Sequence, residues 1–257
     1  MPEEILSDNA LSRVRSIRSY EKLLEGFEPD FELKAVPPIS KREFEERVRR
    51  IRVEAAQDEC DALILHTDMM GWYHTSNSYL WYVSDWVKEG ILILPIDEGK
   101  PFTLLSFFSD SVLFPPTGEP TWIDDIRQIG LWSRAKWNRP GDTTLKMALA
   151  TKQVTDELKV SYGKLGLIGD RTSKSFWNTL ANLLPQTRFQ EETHIINKMQ
   201  HIKSKREQDL IRAAAQLIDI GFQAVCHVCR PGVTDHKLYT AFTFAQLSRG
   251  GESGEQY

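Results

Sequence analysis

The stretch 202–225, IKSKREQDLIRAAAQLIDIGFQAV, decides how this chain is read. It opens on charge and then runs apolar at helical spacing. Ser204 with Glu207 three residues on is a capping box, in which hydroxyl and carboxylate each satisfy an orphan backbone N–H. Behind it Leu210, Ile211, Ala214, Leu217, Ile218, Gly221, Phe222 and Val225 form one stripe with a helical repeat. Such a helix gains most of its stability by laying the stripe against a partner surface. Arg230-Pro231-Gly232 stops it, Thr234 caps a second helix running to about Ser248, and Gly250 or Gly251 ends that one. The second helix is apolar over more than one face, through Leu238, Tyr239, Ala241, Phe242, Phe244 and Ala245. Two apolar helices with no strands behind them read as the beginning of a domain. We therefore expect 201–257 to be the incomplete start of a second domain, cut from a longer parent protein.

Upstream the pattern is different. Ser40 and Glu43 make another capping signal, followed by Phe44, Val48, Ile51 and Ala55 on one helical stripe. The run 61–66, DALILH, reads as a buried strand, and 90–95, GILILP, as a second. A turn at Asp97–Lys100 should return Phe102–Leu105 as an antiparallel neighbour. The aromatic-rich segment 67–86 reads as a short helix or turn leading into an extended piece around Leu80–Val83. Residues 109–143, with Pro115, Pro116, Pro120 and Pro140, read as a long irregular connection. Beyond them a helix near Leu145–Leu158, a strand at Lys164–Ile168, a helix at Ser175–Leu184 and a short strand at Thr187–Phe189 are expected. A final helical turn carries Ile195, Ile196 and Met199. Strands and helices alternating in this way make a mixed α/β sheet. Residues 1–39 are charged, close on Val36-Pro37-Pro38, and read as an arm or short helix with a linker.

Composition narrows the classes. Of 257 residues, 41% are hydrophobic and 26% charged, as in a folded globular chain. A net charge of −4 offers no basic field for nucleic acid, and the basic run 41–52 is interleaved with Glu43, Glu45 and Glu46, as on a solvated helix face. No apolar run has the length of a membrane span, and MPEEILSDNA lacks a signal core. Three cysteines, Cys60, Cys226 and Cys229, make no disulfide framework, so a cytoplasmic setting is expected.

At 202–251 the chain resembles the entry into the catalytic domain of the creatinase, aminopeptidase P and prolidase family, the pita-bread metallohydrolases. The matching elements are Ile202-Lys203-Ser204 with Glu207, then Arg230-Pro231-Gly232-Val233-Thr234-Asp235, then Gly250-Gly251. Upstream, Cys60–Ile64 looks like the family's first strand, and 77–86, NSYLWYVSDW, is similar to its N-x-x-Y-L-T-G-F element. One departure is Asp85 where the family has Gly. The resemblance covers 41–251 and leaves 1–40 outside.

The resemblance implies a fold and an activity. The fold is α/β: a creatinase-type N-terminal domain over 41–200, with a mixed sheet flanked by helices, then the first helices of an α+β pita-bread domain over 201–257. An arm and linker fill 1–40. The parent protein would be a metal-dependent hydrolase, an Xaa-Pro peptidase or a creatinase-like amidohydrolase, cleaving a C–N bond in a small molecule or short peptide. In most members two divalent metals (manganese, cobalt or zinc) are held by two Asp, a His and two Glu; creatinase itself works without metal. Those ligands would lie past Tyr257, so neither catalytic nor metal-binding residues are expected within this chain. The family forms homodimers in which the loop after the 77–86 element reaches the other subunit's active site. Asp85, Trp86 and Lys88 are therefore the candidate substrate-binding residues, against the plainer reading of Trp86 as core and Lys88 as solvated.

The remaining motifs offer less. Cys226-His-Val-Cys229 has no second cysteine pair and reads as helix-end packing. His74 with Asp68 or Asp85 would suit a proton relay, but a hydrogen-bonded structural histidine is the commoner use of such a pair. No phosphate loop, dinucleotide fingerprint or nucleophile elbow is present. The alternative to a severed hydrolase is a complete, non-catalytic binding or assembly module built on the same domain, its helices docking a partner.

Overall fold

The structure is a computed structural model that describes residues 22–66, 78–86, 90–106, 122–129, 142–169 and 173–251. Ile39–Lys203 form one compact unit, and the described parts of Met1–Pro38 and Ser204–Tyr257 form another.

In the first unit, Ser40 Oγ accepts the Glu43 N–H at 3.3 Å and starts α1, Lys41–Gln57. Its stripe of Phe44, Val48, Ile51 and Ala55 is buried as expected. The chain then enters β1 (Ala62–His66), α2 (Ser78–Ser84), β2 (Gly90–Pro95), β3 (Thr103–Ser106), β4 (Asp125–Gln128), α3 (Asp142–Glu157), β5 (Lys164–Ile168), α4 (Lys174–Leu183), β6 (Arg188–Glu191) and α5 (Thr193–His201). The strands form a six-stranded mixed sheet in the order β4-β3-β2-β1-β5-β6. The central strands β1 and β2 are antiparallel, with Ile64 opposite Ile93, while β1 runs parallel to β5, with Ile64 opposite Leu167. Both edge strands pair in parallel, β4 on β3 and β6 on β5.

Side chains alternate across β1, so its unbroken apolar run feeds two cores. Leu63 and Leu65 join Val48, Ile51 and Ala55 of α1, Leu80 and Val83 of α2, and Ile195, Ile196 and Met199 of α5. Ala62 and Ile64 face the other way, onto Met147, Ala148 and Val154 of α3 and Phe176 and Leu180 of α4. Two expectations change. The stretch around Leu80–Val83 is helical rather than extended, and Arg47 and Trp122 each take a carbonyl at its end. Strand β4 lies inside the segment read as irregular; its sequence, DIRQ, carries one apolar residue and no strand pattern.

The second unit holds α6 (Lys205–Val228) and α7 (Asp235–Leu247). The Ser204–Glu207 capping box is complete, with both N–H groups satisfied at 2.6 and 3.1 Å. Thr234 caps α7, and the chain leaves it through Gly250 at φ +84°, a left-handed position that glycine adopts without strain. The helices approach closely at Gly221, where a Cβ would stand 2.6 Å from Phe242 Cδ2. Ile220, Ala224 and Ala245 form the core, and Leu24, Phe27, Phe31 and Leu33 pack against it. The described part of the N-terminal segment is thus not a free arm. The Asp30 N–H donates to Gln223 Oε1 at 2.9 Å, and the His227 and Phe27 rings meet at 5.6 Å. The stripe predicted on α6 is only partly used: Ile211, Ile218 and Phe222 remain about half exposed, as does Phe244 on α7.

Candidate functional site

The sequence placed its candidate site just past α2. Helix α2 ends on a lattice of side-chain bonds. Arg47, 6% exposed, lays its guanidinium over the Tyr82 ring at 4.2 Å and donates to Tyr82 O at 2.9 Å. This arginine was read as part of a solvated face; it is instead buried, with Glu43 at 2.9 Å as its counter-ion. Trp122 Nε1 donates to Val83 O, and Ser84 Oγ donates to Leu80 O at 2.6 Å.

Asp85 then takes φ +59°, the left-handed region, and its carboxylate accepts from Trp81 Nε1 at 3.1 Å. The turn needs this backbone shape, which glycine enters freely and aspartate tolerates better than most residues. Asp85, where the resemblance implies glycine, thus occupies a left-handed position itself. Trp86 is turned inward. It is 3% exposed, lies in the core with Leu65, Leu80 and Leu92, and its N–H donates to Ser84 Oγ at 3.1 Å. Gly90 leaves room for it: a Cβ there would stand 3.4 Å from Trp86 Nε1 and 2.9 Å from Leu105 O. Lys88, His74 and Asp68 lie outside the described residues.

A second cluster, which motif reading missed, sits where α1 ends and β6 passes into α5. Lys164 of β5 donates Nζ to Glu192 Oε1 at 2.8 Å and to Asp58 O at 2.6 Å. The Lys164 and Glu192 side chains are 7% and 1% exposed, so this is a buried ion pair. The hydrogen bond to Glu192 holds the Lys164 ammonium above its ordinary range. Cys60 Sγ lies 3.9 Å from Glu192 Oε1, and burial pushes its thiol up to about 11. His194, in the first turn of α5, stands between carboxylates: Nε2 is 3.3 Å from Asp58 Oδ2 and Nδ1 is 3.5 Å from Glu192 Oε2. The spacing 58, 192, 194 carries no local signature; only the sheet order brings the three together.

Other titratable groups have structural settings. His66 is stacked on Phe176 at 4.3 Å, and burial lowers its pKa to about 3, so the ring is neutral. Cys226 and Cys229 are exposed free thiols rather than packed ones, as the sequence had suggested. In the second unit a cleft of about 390 Å³ is lined by Lys22, Glu25, His227, Arg230 and Lys237. Among the described residues, Asp58, Glu192 and His194 are the one group able to hold a metal ion. Three donors do not fit the five-ligand metal pair that the resemblance implies.

Comparison with known proteins gives the class. No protein-family model matches the chain. An uncharacterized hydrolase/peptidase, y4tL, of Sinorhizobium fredii is 28% identical over 227 residues, 86% of this chain and 54% of that protein. Creatinase of a Bacillus species is 25% identical over 208 residues, 80% of this chain and 45% of that protein. Among solved structures, the X-Pro aminopeptidase of Thermotoga maritima superposes with a TM-score of 0.62 at 14% identity, over 79% of this chain and 49% of its own. The prolidase of Pyrococcus horikoshii gives 0.53 at 16% identity, over 80% and 49%. The chain has the relatives and the fold of the creatinase, aminopeptidase P and prolidase family. Its mixed sheet with flanking helices is the α/β architecture of these proteins, and it is related in sequence to hydrolases. It spans about half the length of the curated relatives it matches.

Proposed function

We propose that this chain is the N-terminal part of a metal-dependent hydrolase of the Xaa-Pro peptidase or creatinase type, cleaving a C–N bond in a small substrate or short peptide. The observation that carries it is the uncovered apolar face of α6 and α7. Ile211, Ile218, Phe222 and Phe244 are exposed in a chain that matches half of its relatives' length. A face of this kind suits a curved sheet laid against it. In this reading the catalytic groups, with a divalent metal pair of manganese, cobalt or zinc where metal is used, belong to the remainder of the protein. The metal would polarise the scissile carbonyl and acidify a water.

What this chain contributes is shape. Asp85 and Lys88 contribute to a wall of the substrate pocket across a homodimer. Trp86, buried in its own core, serves that wall only from inside, by anchoring the turn. The setting is cytoplasmic, without nucleic acid; no helix among the described residues is long and apolar enough to cross a membrane.

The test compares the 257-residue chain with the product of the whole gene. Both are assayed with Xaa-Pro dipeptides, an Xaa-Pro-initiated peptide and creatine, each with manganese, cobalt or zinc. Hydrolysis by the whole product and none by the chain is expected. Hydrolysis by the chain alone, or by neither, would overturn the reading. Inactivity of both, with the chain held in a stable complex with another protein, would favour the binding-module reading.

A further inference from the structure

The Asp58, Glu192 and His194 cluster has a composition that buried ion pairs do not need. Lys164 already neutralises Glu192 through Oε1, at 2.8 Å. The second oxygen of Glu192 instead faces an imidazole, and the same imidazole faces Asp58. One ligand atom from each of the three residues lies within 4.8 Å of the others. Zinc bonds to nitrogen and oxygen of about 2.0–2.2 Å place tetrahedral donors roughly 3.4 Å apart, so closing on an ion takes a movement of about 1 Å. The side chains of His194 and Asp58 are 61% and 37% exposed and free to make it. Glu192 is fixed: its side chain is 1% exposed, and Lys164 ties it to the Asp58 carbonyl.

We propose that Asp58, Glu192 and His194 form a single-ion site for zinc, clipping the C-terminal end of α1 to the junction of β6 and α5. One imidazole and two carboxylates favour zinc and its transition-metal neighbours over magnesium or calcium, which take oxygen donors alone. Three protein ligands leave a fourth position for water on the exposed side of His194. Lys164 acts as the outer partner that orients the Glu192 carboxylate, as groups behind metal ligands do. The clip joins Asp58 to residues 192 and 194, distant in sequence, and its occupancy stabilises the first unit. It rests on no assumption about what the parent protein cleaves.

The chain carries a rival zinc binder in its exposed thiols, Cys226 and Cys229. The test therefore uses the full chain with Cys226→Ser and Cys229→Ser, titrated with zinc chloride alone. Binding is read by calorimetry, and stability by the thermal midpoint of tryptophan fluorescence. All seven tryptophans lie within Ile39–Lys203, so the midpoint reports the unit holding the site. One equivalent of zinc should bind and raise the midpoint saturably. His194→Ala, an exposed position that should not disturb folding, should weaken binding at least about tenfold and remove the shift. Asp58→Asn should do the same. Histidine-ring NMR of this double variant, which keeps only the buried Cys60, should show His194 as the ring that zinc perturbs. No zinc binding, or unchanged binding in the His194→Ala chain, would overturn the site.

Discussion

Replacing Lys164 with methionine isolates the buried ion pair. The ammonium sits 2.8 Å from Glu192 Oε1, with both side chains almost wholly buried. At that distance and an effective dielectric near 20, the gross attraction is about 6 kcal/mol, much of it offset by desolvation of both ions. Removing one partner leaves a buried carboxylate uncompensated, which costs about 3–5 kcal/mol. That is a large fraction of the roughly 5–15 kcal/mol that holds an ordinary domain together. With a urea slope of about 2 kcal/mol/M, the midpoint should fall by about 2 M. Removing both charges in Lys164→Met with Glu192→Leu should recover most of the loss, because neither desolvation cost then remains. Tryptophan fluorescence during urea unfolding reads both variants. The pair also carries a pH signature. The Lys164 pKa is raised in the fold, so its contribution is whole below the unfolded lysine value near 10.4 and is lost as pH rises through the folded value. A single variant less than about 1 kcal/mol weaker than wild type, or a double variant as weak as the single, would refute this account of the junction.

Two further expectations concern buried positions elsewhere in the two units. Burial lowers the His66 pKa to about 3, so its stabilising effect is complete above the unfolded value near 6.5 and is lost as pH falls toward 3. Between pH 7 and pH 4 this amounts to about 3 kcal/mol. His66→Phe, which keeps the stack on Phe176, should lose that much less stability over the same interval; equal losses would sink the argument. Gly221→Ala sets a helix-propensity gain of about 1 kcal/mol against a Cβ that would stand 2.6 Å from Phe242 Cδ2. Overpacking of this kind costs about 1–3 kcal/mol, so circular dichroism should show α6 melting at the same temperature or lower. A stabilised variant would mean that Phe242 moves aside freely.

Periodicity and capping carried most of the architecture. The stripe of α1, the apolar runs of β1 and β2, and the stop signals around α6 and α7 are each local, and each appears where its pattern stands. Features decided by distant partners were hidden. Strand β4 has no pattern of its own and exists because β3 offers an edge. Arg47 looks like any helix-surface arginine until the Tyr82 ring and carbonyl close over it. The resemblance pointed to Asp85 and Trp86 as one site, but the backbone turns their side chains apart, one to the Trp81 indole and one to the core. Asp58, Glu192 and His194 were illegible because β5 must first bring Lys164 beneath them.

The packing of residues 24–33 on α6 and α7 bears on how the chain comes off the ribosome. Asp30 must wait until Gln223, 193 positions later, has been synthesised before its N–H finds its acceptor. Ile39–Lys203 can finish folding during that interval, while the leading segment keeps Phe27 and Phe31 exposed to solvent and to chaperones. Deleting the first 38 residues would therefore spare the sheet and strike α6 and α7.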